Sequence, residues 1–251
     1  MTAVLIGESI ATGIIAGFLC GLTGMGGGSI YVPVFYLLFK FSIKEAIGTS
    51  LLIIVFSSLS AFLVHMKGNH INFKTAGFLI CSGIIGAQVG SLITATLPDI
   101  AVKIFFSCLT IFLSFHMWRE KKDSVEICDN NFHFSWMKLL LIGLTSGILS
   151  GISGVGGAII LVPLLHIYVG IPMNICIGTT LPVVMFNSLS AVMGYIYHGF
   201  VRIRIGTITG IVAVFAAICG ATISMHMDNT KLRKIFATVI LAAGMAILIG
   251  R

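Results

Sequence analysis

One feature limits the possible folds of this chain more than any other: a glycine cluster that interrupts an apolar run, and does so twice. Gly21-Leu22-Thr23-Gly24-Met25-Gly26-Gly27-Gly28 is matched 130 residues later by Gly151-Ile152-Ser153-Gly154-Val155-Gly156-Gly157-Ala158, and a proline follows each five residues on, Pro33 and Pro163. Glycine has no Cβ, gives up the most backbone entropy in a helix and tolerates positive φ, so five glycines in eight residues end a helix. Between long apolar segments, such an ending leaves backbone N–H and C=O groups where water is scarce. That is tolerated only when protein or a water-filled cavity surrounds the break.

The segments around the clusters are long and apolar. The chain is 57% hydrophobic and 9% charged, against about 25% charged residues in a soluble domain. The expected class is an all-α polytopic membrane protein. Residues 4–22 are long enough to span a bilayer. Residues 29–39 reach only about half the hydrocarbon core, at 1.5 Å rise per residue, and read as a re-entrant or half helix, or as an oblique partner of the first segment. Ser42-Ile43-Lys44-Glu45 is a capping box that opens a helix to about His65. Lys67-Gly68-Asn69-His70 turns the chain, 73–96 spans, Leu97-Pro98-Asp99 turns it again, and 100–118 spans. Gly13, Gly17 and Gly21, and later Gly86 and Gly90, have the spacing that lets helices approach closely.

The second half repeats the first. Gly13–Leu63 against Gly143–Met193 gives 19 identities in 51 positions. The expected organisation is a first membrane repeat at 1–118, a polar linker at 119–135 and a second membrane repeat at 136–251, with about eight transmembrane helices and glycine-rich broken or re-entrant helices. Internal duplication of this kind marks secondary transporters. The loop lysines and arginines divide equally well for inverted and for parallel halves. In both cases they favour a cytoplasmic linker. The Met1 end lacks a basic leader, so the first segment is read as retained.

The formal net charge of +7 follows from basic residues in short loops, as the positive-inside bias expects, and does not call for nucleic acid as a partner. The six cysteines show no metal-ligand spacing. No nucleophile–base pair stands out, so neither enzyme activity, a cofactor nor a metal is expected. The glycine clusters lack the last glycine of a dinucleotide fingerprint and the Lys-Ser/Thr of a P-loop.

No Asp, Glu, Lys or Arg lies deep in an apolar segment, which disfavours a carboxylate-based cation site. What lies at depth is neutral and polar. A helix that restarts after a break presents free N–H groups and the positive end of its dipole, a ready anion site without any basic residue. The candidate substrate-binding residues are therefore Thr23, Gly24, Gly26, Gly27 and Gly28, with Thr49 and Ser50 on the next helix. Their counterparts are Ser153, Gly154, Gly156 and Gly157, with Thr179 and Thr180. Hydroxyls can also bond the carbonyl four residues back, so packing and binding both stay open for each.

At these residues the sequence resembles the TauE/SafE family, the sulfite exporter or toluene-sulfonate uptake permeases. The pattern runs Gly17-x-x-x-Gly21-x-x-Gly24-x-Gly26-Gly27-Gly28 to Pro33, then Gly48-Thr49-Ser50-Leu51 and Ser58-x-Ser60-Ala61. It recurs from Gly147 to Pro163, then Gly178-Thr179-Thr180-Leu181 and Ser188-Leu189-Ser190-Ala191. Two departures, Ala158 for Gly28 and Asn174-Ile175-Cys176 for Lys44-Glu45-Ala46, make the halves unequal. The resemblance implies a secondary transporter in the cell's inner (plasma) membrane, carrying a small sulfur-containing anion such as sulfite or an organosulfonate. A passive anion channel is the alternative. The partners expected are that anion and the lipid bilayer, with homo-oligomerisation left open.

Overall fold

A computed structural model of the chain describes residues 3–23, 26–68, 71–119, 136–168 and 173–249. The described residues form ten α-helices: α1 (Ala3–Thr23), α2 (Gly28–Leu37), α3 (Ile43–Lys67), α4 (Phe73–Thr96), α5 (Asp99–Arg119), α6 (Trp136–Ser153), α7 (Ala158–Pro163), α8 (Met173–Tyr197), α9 (Ile203–Ser224) and α10 (Asn229–Ile249). A π-helical turn, Leu164–Tyr168, prolongs α7. Residues 120–135 of the expected linker lie outside the described residues, as does Gly24.

Six of the helices are long and apolar enough to cross a membrane: Leu5–Thr23, Ile43–Lys67, Phe73–Thr96, Trp136–Ser153, Ile175–Tyr197 and Ile203–Ser224. This is fewer than the expected eight. α5 and α10, 21 residues each, are not among the six; they pack against one another, with Ser114 Oγ donating to Ala237 O at 2.7 Å. The helices turn apolar side chains outward, including Ile85, Leu141, Ile211 and Phe215, and bury hydroxyls. Helices apolar on their outer face and polar within suit lipid as the surrounding solvent.

Close packing follows the small residues. Gly13, Gly17 and Gly21 of α1 meet Thr209, Ala213 and Ala217 of α9 in rising order. A Cβ at Gly17 would lie 2.7 Å from Ala213 Cα, so only glycine allows the approach. Gly143, Gly147 and Gly151 of α6 meet Leu79, Gly83 and Ala87 of α4 in the same way. The spacing of four is therefore a packing seam in both places.

These registers fix helix directions. α1 runs parallel to α9, and α6 parallel to α4. α3 also runs with α9, pairing Thr49 with Arg202, Leu52 with Gly206 and Phe56 with Gly210. α8 runs with α4, pairing Thr179 with Asn72, Asn187 with Gly83 and Gly194 with Ser91. Gly48 near the start of α3 touches Tyr195 near the end of α8 and Phe200 just beyond it, so α3 and α8 are antiparallel. Thus α1 and α3 run one way, while α6 and α8, which carry the matching motifs, run the other. Each half packs its first helix along the fourth helix of the other half.

The capping box is formed as expected: Glu45 N donates to Ser42 Oγ at 3.2 Å, and Ser42 N to Glu45 Oε2 at 3.1 Å. Glu45 does more than cap. Its Oε1 also pairs with Arg202 Nη2 at 2.6 Å, tying the start of α3 to the start of α9.

Candidate functional site

Both glycine clusters turn the chain through left-handed backbone. Gly26 and Gly27 have φ of +72° and +77°, and Gly156 and Gly157 have +76° and +82°. An L-residue held there costs about 1–2 kcal/mol. Gly27 and Gly157 are the N-caps of α2 and α7, and their carbonyls accept Tyr31 N and Leu161 N, each at 3.0 Å. α2 is ten residues long, a half helix as the sequence suggests.

The two turns meet. A Cβ on Gly26 would lie 2.8 Å from both Ile54 and Val184 side chains, and one on Gly156 would lie 2.5 Å from Val184 and 3.4 Å from Ile54. A Cβ on Gly28 would lie 2.6 Å from Val155 Cα and closer still to Gly154 O. Ile54 and Val184 sit at matching places near the midpoints of the 25-residue helices α3 and α8. The tips of two helix pairs entering from opposite ends therefore touch halfway along the bundle.

The hydroxyls expected at the site fall into two groups. Thr23 Oγ1 and Ser153 Oγ donate to the carbonyls of Leu19 and Leu149, four residues back, each at 2.6 Å. Ser50 Oγ lies 2.8 Å from both Ile47 O and Gly154 O, so it links α3 to the second turn. Thr180 Oγ1 donates to Ile177 O at 3.0 Å. Thr49 and Thr179 work across the halves: Thr49 Oγ1 accepts Arg202 N and Thr179 Oγ1 accepts Asn72 N, both at 3.0 Å. Arg202 and Asn72 are the N-cap residues of α9 and α4. Each threonine thus meets a backbone donor that the start of a helix leaves without an intrahelical partner.

Three residues outside the expected set lie at or near the second turn, Ser188 against Gly156, Ser150 against Gly157 and Asn187 against Gly83 of α4. Ser150 Oγ, Ser188 Oγ and both amide atoms of Asn187 are fully buried and have no protein hydrogen-bond partner. A Cβ on Gly156 would come 3.1 Å from Ser188 Oγ, and the Asn187 amide rests on Gly83. The traces of this cluster in the sequence are Asn187 standing where the first half has Ser57 and Ser150 where it has Cys20. Among the described residues, no Asp, Glu, Lys or Arg is buried.

This arrangement defines a multi-pass membrane protein built around two opposed glycine turns. The chain belongs to the Sulfite exporter TauE/SafE family, whose model matches residues 9–247. It is 25% identical to a "Probable membrane transporter protein" of Methanocaldococcus jannaschii, over 96% of this chain and 94% of that protein. It is 29% identical to the "Probable membrane transporter protein YdhB" of Bacillus subtilis, over 90% and 94% respectively. A "Probable membrane transporter protein" of Haemophilus influenzae is 28% identical over 91% and 92%. No solved structure matches the chain at a significant level.

Proposed function

We propose that the protein is a secondary transporter that moves a small sulfur-containing anion, such as sulfite or an organosulfonate, across the cell's inner (plasma) membrane. Two homologous repeats of inverted topology would form it, with α5 and α10 completing eight spans. The observation that carries the reading is the meeting of the two glycine turns at the midpoints of α3 and α8, where no buried side chain is charged. A helix pair from each end that stops halfway gives one central point reachable from either side, the geometry alternating access needs. The substrate would be held by backbone N–H groups at Gly26, Gly27, Gly28, Gly156 and Gly157, with neighbouring hydroxyls. A hydrogen bond to a charged group contributes about 1.5–3 kcal/mol, so several offset part of the cost of stripping water from the anion. Neutral donors also bind weakly enough for release.

Counterflow in proteoliposomes tests this. Internal unlabelled sulfite should accelerate entry of radiolabelled sulfite. Entry of sulfite that ignores the internal pool would instead mark a passive channel, and no movement of sulfite, thiosulfate or methanesulfonate would remove the anion reading.

A further inference from the structure

The two glycine turns are alike in backbone and unlike in what surrounds them. At the first, Cys20 Sγ donates to Ser57 Oγ at 3.4 Å, Ser57 Oγ reaches Ile53 O at 3.2 Å, and Ser58 Oγ donates to Ile54 O, while the buried Tyr31 hydroxyl beside Gly27 has no partner. At the second, the residues in the matching positions are Ser150, Asn187 and Ser188, each fully buried and each without a protein partner. Ser188 is the same residue type as Ser58 yet does not bond back to its own helix. Asn187 is larger than Ser57, and the room for it comes from Gly83, since a Cβ there would collide with the amide. The position matching Gly83 in the other half carries Ala213. The larger amide and the smaller neighbour therefore occur together, as expected of a side chain that is accommodated rather than tolerated.

A buried polar group left unpaired costs about 1–3 kcal/mol, and Asn187 leaves both a donor and an acceptor unpaired. Resting on the transporter reading above, we propose that the second half supplies most of the polar side-chain contacts of the substrate site. The Asn187 amide and the Ser188 hydroxyl contact the anion beside Gly156, and the first half supplies the apolar and backbone wall through Ile54, Gly26 and Gly28. The preferred substrate is a singly charged oxyanion that keeps an O–H, the class of hydrogensulfite. Its oxygens accept from Asn187 Nδ2 and Ser188 Oγ, and its O–H donates to Asn187 Oδ1. A fully deprotonated dianion could only accept; it would face the lone pairs of Oδ1 and carry twice the charge into a site with no cation.

The test uses the purified full chain with two readouts, the melting-temperature shift on adding sulfite and counterflow of radiolabelled sulfite. Asn187→Leu and Asn187→Ser are compared with Ser57→Ala. The proposal expects both Asn187 variants to need about tenfold to a hundredfold more sulfite for half-maximal effect in each readout, with Ser57→Ala within about twofold of wild type, on the scale of a weak neutral contact. Asn187→Leu alone should also raise the melting temperature without ligand, because an unpaired amide has been removed. Sulfite should compete for the site better than methanesulfonate, which is singly charged but has no O–H, and sulfate should compete least. Unchanged sulfite response in both Asn187 variants overturns the site, and equal competition by methanesulfonate overturns the substrate class. A wild type that responds to none of the anions in either readout sinks the transporter reading, and this proposal with it.

Discussion

At the first glycine turn Cys20 meets Ser57 and Ser58 bonds back to Ile54 O, while the buried hydroxyl of Tyr31, whose ring lies against Gly27, has no hydrogen-bond partner. At the second, Ser150, Asn187 and Ser188 occupy the same places and find no protein partner. The scaffold around both is the same. Each turn has an adjacent pair of glycines at positive φ, with Gly154 a third at the second turn; each caps a short helix through a glycine carbonyl, and each presses on Ile54 and Val184. The comparison separates what builds the break from what makes it chemically distinctive. Backbone conformation builds it, and the side chains packed around it make the halves differ.

The sharpest way to break the shared part is to fill a turn. Gly26→Leu and Gly156→Leu each place a side chain at φ above +70°, directly against Val184. Both should abolish sulfite counterflow, because both close the same central point. If one variant transports normally, the turns do not share a single passage.

A smaller and equal effect is expected from the cross-half caps. Thr49→Val and Thr179→Val keep side-chain shape but remove the acceptor for Arg202 N and Asn72 N. Each should lower stability by about 1–3 kcal/mol, the cost of an unsatisfied backbone donor shielded from water, with a similar fall in melting temperature for both. Sulfite affinity should stay within about threefold, on the same hydrogen-bond scale. A large affinity loss in either variant without a stability loss would assign these hydroxyls to the substrate rather than to the caps.

Much of this architecture is legible in the sequence, and the rest fails for definite reasons. The glycine turns, the half helix after Gly27, the capping box at Ser42 and the packing seams at Gly13, Gly17, Gly143 and Gly147 are local or periodic, so residue order reveals them. Helix direction is not local. The loop charges balance either way, and only the pairing of Gly17 with Ala213 and of Gly147 with Gly83 fixes it. Thr49 and Thr179 show the same limit. Their spacing after the glycines suggests a ligand, but does not reveal that each oxygen also accepts from the N–H of a helix start more than 100 residues away in the chain. Asn187 is visible in the sequence only as a mismatch with Ser57. Its lack of a partner depends on the depth of α8 and the bare face at Gly83, which no single stretch of sequence encodes.

The central claim is that the substrate passes the point where the two turns meet. A cysteine at Val184, in a chain whose native cysteines are replaced by serine, tests it with a membrane-impermeant thiol reagent applied from one side of sealed vesicles and then from the other. The account predicts that the cysteine reacts from both sides over time and that sulfite slows the reaction in a saturable way. A cysteine there that never reacts, or that reacts at a rate sulfite does not change, would contradict it.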